Sequence, residues 1–170
     1  MPTGLKASSS TVAIGFKVDE VVANTFAQAS VDLNLSPLDR EVFVVTAINL
    51  DPVAPDAIGG VNTQTQASLT TTSQTATANL DNSNCLATAT LDLRAAGFVD
   101  SGVGFTRNGM ETPPATLDYI GIIATNDFFI QVKGLGNINA KSCFGKLYGY
   151  RAQASADIYA ALVQSEVLSA

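Results

Sequence analysis

The chain has 170 residues and a mass of 17.6 kDa, the size of one domain with a single main core. It carries nine basic and fifteen acidic side chains, a net charge of −6, and neither histidine nor tryptophan. The missing imidazole excludes a Ser-His-Asp triad, a His-assisted cysteine nucleophile, a His-containing zinc site and a histidine proton switch. Charged residues make up only 14% of the chain, against roughly 25% in an ordinary soluble domain, while 46% are apolar. That balance predicts a surface partly hidden against other subunits and partly tiled with Thr, Ser, Asn and Gln.

Met1 to Ser10 (MPTGLKASSS) has neither the basic nor the apolar region of an export signal, so residues 1–10 are expected as an extended segment, of a chain made without a leader, which Met1 favours, or of one whose leader has been removed. The apolar runs Val42 to Val45 and Tyr119 to Ala124 fall far short of the ~20 residues of a spanning helix, and no membrane span is expected. Alternation dominates from residue 11 onward and predicts an all-β domain over 11–154. Thr11 to Lys17 is the first strand. Asn24 to Leu35 is a longer one, with Ala27, Ala29, Val31, Leu33 and Leu35 on one face and Phe26 out of phase, a sign of a bulge near its start. After the turn Ser36-Pro37-Leu38-Asp39 comes Glu41 to Leu50, apolar on both faces, which predicts cover on one side by the sheet's own core and on the other by a second subunit or a helix. Val42 and Val44 are thereby candidate interface residues.

Asp51-Pro52 and Pro55-Asp56 punctuate a loop ending at Gly59-Gly60. Val61 to Asn79 holds seven threonines and no charge, and its β-branched content predicts strands. Asp81-Asn82-Ser83-Asn84 is a turn. Cys85 to Arg94 alternates, with Cys85, Ala87, Ala89, Leu91 and Leu93 expected inward and Leu86 outward. Ala95 to Leu117 is the longest irregular stretch, rich in glycine and containing Pro113-Pro114. A loop of that length in a small domain commonly forms an interface, which makes Phe98, Val99, Val103 and Phe105 candidate anchors. Three more strands are expected at Asp118 to Thr125, Asp127 to Lys133 and Cys143 to Ala152. A helix follows over 155–168, capped by Ser155, docked on the sandwich through Ile158, Tyr159, Leu162, Val163 and Val167, with Gln164 and Ser165 left for a neighbour. Eight or nine strands and one C-terminal α-helix fit a two-sheet β-sandwich of jelly-roll type.

Chemistry is sparse. Gly102-Val103-Gly104 lacks the rest of a dinucleotide motif, and no phosphate-binding loop exists. Asp19-Glu20 and Asp51 with Asp56 are the local carboxylate pairs, and solvated turns account for them. Cys85 and Cys143 are too far apart in sequence for a metal or redox pair and read as small hydrophobes, free rather than bridged. The sequon Asn34-Leu35-Ser36 runs into Pro37. Asp81, Asn82 and Asn84 offer oxygen ligands for calcium, yet the turn lacks a twelve-residue loop with a terminal glutamate, and Asx hydrogen bonds explain the same residues. No cofactor, catalytic group or other metal site is expected. Residues 1–85 carry three basic and eight acidic groups and residues 86–170 six and seven, so no nucleic-acid footprint emerges. Lys146, Tyr148 and Tyr150 share a face and form a small aromatic-basic strand, better explained as core or interface.

A β-sandwich without catalytic machinery, low in charge, with Thr/Ala-rich strands, a Gly/Pro loop and a terminal helix resembles single jelly-roll capsid proteins of small viruses. The segment Asp118 to Ala152 (DYIGIIATNDFFIQVKG, then CFGKLYGYRA) is similar to the closing hairpins of such domains. The resemblance implies a self-assembling, non-enzymatic subunit in the virion, as shell or surface decoration, with copies of itself and other capsid proteins as partners. A basic genome-binding arm, present in many such families, is missing here. Asn24-Thr25-Phe26 with Val31-Asp32-Leu33 resembles the start of secreted biofilm-fibre subunits, which implies instead an extracellular filament built by strand exchange. A small-ligand or carbohydrate-binding sandwich is the third reading.

Overall fold

The computed structural model describes residues 1–97, 99, 102–108 and 117–170, with backbone alone for 106–108. Among these residues the chain forms ten strands and one helix: β1 (Leu5–Ala7), β2 (Val12–Asp19), β3 (Ala27–Asp32), β4 (Glu41–Pro52), β5 (Thr63–Thr70), β6 (Cys85–Arg94), β7 (Val103–Asn108), β8 (Gly121–Ile123), β9 (Asp127–Leu135), β10 (Ser142–Ala154) and α1 (Ala156–Leu168). The strands make two antiparallel five-stranded sheets. In one, β1 and β2 share an edge of β10, followed by β4 and β8; the other runs β3-β9-β5-β6-β7. The pairings nest, β2 with β10, β3 with β9 and β4 with β8, around the hairpin β5-β6.

Period-two alternation sends Phe16, Val18, Phe43, Val45, Ile48, Cys143 and Leu147 from the first sheet to meet Ala67, Leu69, Ala87, Ala89, Phe128, Ile130 and Val132 from the second. Burying this contiguous apolar set is the main stabilising term. Phe16 and Phe128 meet edge to face at 5.7 Å. Side chains at Gly145 and Gly149 of β10 would collide with the Phe16 and Phe43 rings, so both glycines clear space for core aromatics.

A second apolar layer lies on the outer side of the first sheet. Leu5, Val42, Val44, Ala124, Ala152 and Ala154 pack beneath Ile158, Tyr159, Leu162 and Val163 of α1. This corrects the interface assignment of Val42 and Val44. Both are fully buried, because the chain's own helix covers the second apolar face of β4. The alternation then shifts phase opposite Tyr148/Gly149, where the β4–β10 register slips, and turns Ile48 and Leu50 inward.

Other boundaries differ from the sequence reading for local reasons. The extended segment 1–10 contains β1, which pairs with the last residues of β10. Asn24 adopts φ 64°, so the chain turns there and the strand begins only at Ala27. The β5–β6 register shift at Leu69/Thr70 lets Leu86 pack against the core instead of facing out. The threonine-rich run forms one strand; residues 71–84 then fold back across the outer face of the second sheet. There Gln28 bonds to Ser73 and to the Gln74 backbone, Gln66 to Thr77, and Ser68 to the Ala78 backbone. Gln131 is fully buried, with its amide donating to Gln28 and Thr70 and its carbonyl accepting from Ser68. The irregular stretch Ala95 to Leu117 contains β7.

Candidate functional site: an open sheet edge

β7 is one of the two outermost strands of the second sheet, β3 being the other. Its residues pair with β6 from Val103↔Arg94 to Asn108↔Ala89, and its other edge meets no strand among the described residues. Residues two apart share a face, so Val103 and Phe105 stand together, opposite Arg94 and Asp92. They are 54% and 53% exposed, and Val99, in the preceding connection, is 85% exposed. Gly102 and Gly104 keep this margin thin. An edge strand presents unpaired N–H and C=O groups, and its usual protection is charge or proline. Here the exposed side chains at 103 and 105 are apolar instead. Phe98, the fourth expected anchor, lies outside the described residues.

The remaining expected sites resolve differently. Gln164 and Ser165 are exposed on the outer side of α1, whereas Val167, assigned to the docking stripe, is 59% exposed. Ser155 occupies the N-cap position without a side-chain cap bond; its backbone N–H donates to Gly4 and its carbonyl accepts from Tyr159. Asn82 Oδ1 accepts from the Asn84 backbone N–H at 2.9 Å, and the Asn84 amide donates to Thr72 Oγ1 and the Glu166 carbonyl. Asp81 is exposed. The turn is thus an Asx turn whose Asn84 ties it to the helix. Among the described residues no three Cys, Asp or Glu side chains converge as a metal site. Tyr150 packs under α1, while Lys146 and Tyr148 stand on the uncovered part of that sheet face beside Phe144, whose ring lies 5.4 Å from Lys17 Nζ.

Cys85 and Cys143 are free thiols, the first half-buried and the second fully buried. Burial pushes them up to about 11 and about 12, so neither is a nucleophile at neutral pH. No helix among the described residues is long and apolar enough to cross a membrane.

Two polar clusters escaped the sequence reading. At one end of the sandwich, Lys141 Nζ meets Asp56 Oδ1 at 2.6 Å, and Asp56 also accepts the backbone N–H groups of Ile138 and Asn139. The Lys141 ammonium first, and those N–H groups with it, hold Asp56 down at about 2. Glu20, buried beside it, accepts from the Gly134 and Lys141 backbones, and Asn24 and Asn137 bond to each other reciprocally. Three loops are locked together. The second cluster is Glu166 of α1, whose buried carboxylate accepts the backbone N–H groups of Ala124 and Thr125 at 3.0 and 2.9 Å. One signal for it was legible: an acidic residue in a helix's last turn opposes the helix dipole and calls for a local donor. No protein-family model matches the chain, and no curated protein matches it.

Proposed function

We propose that this chain is a structural subunit that acts by contact with copies of itself, in a viral capsid shell or as a decoration on its surface. It is not an enzyme in this reading, and its sandwich is of jelly-roll type. The nested pairings support the topology: without β1 and β7 the sheets read β2-β10-β4-β8 and β3-β9-β5-β6, one long hairpin rolled into two layers. The observation that carries the assembly role is the β7 edge, where exposed Val103 and Phe105 stand on a strand whose outer edge meets no strand among the described residues. Such an edge favours pairing with another chain.

The test is light scattering and negative-stain imaging of the native chain at micromolar concentration, beside Phe105→Asp. Closed particles that fall to folded monomers in the variant are the expected result. A wild-type chain that stays monomeric overturns the proposal. A second reading, an extracellular filament built by strand exchange, is favoured by β1, which holds the end of β10 with only three residues and is separate from β2. Open fibres in the same images would select it.

A further inference from the structure

Between β2 of the first sheet and the end of β3 in the second, the two layers part and leave a cleft of about 560 Å³. Its size lies in the range of small-molecule sites. The inward residues at this end of β2, Val12 and Ile14, give one apolar wall, and Arg151 rises from the floor beside Phe43, its register partner. The side chain of Arg151 is anchored at two points. Nη2 donates to the Leu33 carbonyl at 2.8 Å, and Nη1 lies 3.6 Å from Glu41 Oε2. A guanidinium has five N–H donors, so most of its donors meet no acceptor among the described residues.

Both carboxylates likewise keep acceptor capacity beyond their donors among the described residues. Asp32 receives the Asn34 backbone N–H and the Asn126 amide on Oδ1 alone, and Glu41 receives Ser8 Oγ and the Ser36 N–H at long distances of 3.3 and 3.2 Å. At the rim, Asn34 is exposed in a left-handed conformation with φ 52°.

We propose that this cleft binds a neutral polyhydroxylated ring, the chemistry of a sugar. An anion would meet two carboxylates for one guanidinium, and a cation would face the unfilled guanidinium donors. A hydroxyl both donates and accepts, so it matches a wall that offers both kinds of group within one cleft. The C–H face of such a ring suits the methyls of Val12 and Ile14. This site lies away from the β7 edge and does not depend on the assembly reading.

The experiment is saturation-transfer NMR on the full chain in the state it adopts in solution, with glucose, galactose, mannose and N-acetylglucosamine as probes. Inorganic phosphate, followed by line broadening, and putrescine serve as the charged arms. At least one neutral sugar should receive saturation, strongest on ring protons of one face. Asn34→Gly, which keeps the left-handed backbone and removes the rim amide, should weaken it about fivefold, the size of one lost hydrogen bond. Val12→Phe, filling the mouth, should abolish it and decides the matter if Asn34→Gly folds poorly. Binding of phosphate or putrescine alone, silence from all four sugars, or equal affinity in Val12→Phe overturns the proposal, and none of these results bears on assembly at β7.

Discussion

Removal of the Glu166 carboxylate tests how the C-terminal helix is fixed to the sheet. In Glu166→Ala the Ala124 N–H, on a residue 4% exposed, loses its acceptor, and a buried unsatisfied N–H costs about 1–3 kcal/mol. The Thr125 N–H is half-buried and can regain part of its bond from water, so the total expected loss is about 2–3 kcal/mol. At about 2–4 °C per kcal/mol for a domain of this size, Tm should fall by about 4–12 °C. Urea unfolding followed by tyrosine fluorescence suits a chain without tryptophan. Burial raises the Glu166 carboxyl above its ordinary value, with the Ala124 and Thr125 N–H bonds opposing that rise. A raised folded pKa gives a stabilising contribution that is complete below the unfolded value and is lost as pH rises through the folded one. Glu166→Gln does not titrate, so wild type should gain stability relative to this variant as pH is lowered from neutral into the carboxylate range. Glu166→Ala within about 0.5 kcal/mol of wild type, with unchanged amide exchange at Ala124, would refute the reasoning.

Leu162→Asp places a charge in the layer between α1 and β4 and should destabilise the subunit by about 2–4 kcal/mol, read from the urea midpoint; a fully stable variant that only fails to assemble would mean that the helix serves a neighbour. Asp56 has a folded pKa depressed to about 2, so its contribution is present above about pH 4 and is lost as pH falls through 2; acid titration of Lys141→Met should show a shallower loss across that window, and an unchanged slope would remove the pair from the account. Cys143 should resist alkylation at pH 8 until the chain unfolds, with Cys85 slow but faster than Cys143; rapid native labelling of both, followed by mass spectrometry, would contradict their burial.

Where local periodicity was strong, the limits of the elements were legible. Cys85 to Arg94 matches β6 at both ends, and the helix over 155–168 differs from α1 by one residue. Period two was lost wherever a register shift inserted a residue. One shift turned Leu86 against the core, and another, opposite Tyr148, turned Ile48 and Leu50 inward. β7 was hidden because Gly102 and Gly104 gave its first half the composition of a loop, although its pairing with β6 makes it a strand. Propensity alone made strands of residues 71–79. Their side-chain bonds to Gln28, Gln66 and Ser68 hold them across a sheet instead, a long-range outcome with no local pattern. The latch of Glu20, Asp56 and Lys141 joins residues 121 positions apart, which no spacing rule anticipates.

These placements also change what the composition implies. A chain with 46% apolar and 14% charged residues suggests hidden intersubunit surface only while one core is assumed. The first sheet is instead apolar on both sides over part of its length, with one layer against the second sheet and another beneath α1. Doubling the buried faces of β4 and β10 absorbs much of the apolar excess inside a single subunit. The shortage of charge is likewise met in part within the chain, since the outer face of the second sheet over β3 and β5 is covered by a strap bonded through Gln, Ser and Thr. An apolar, charge-poor composition is thus largely satisfied inside one subunit, and what favours contact between copies is local: an edge strand whose exposed side chains at 103 and 105 are apolar where negative charge or lysine would keep copies apart.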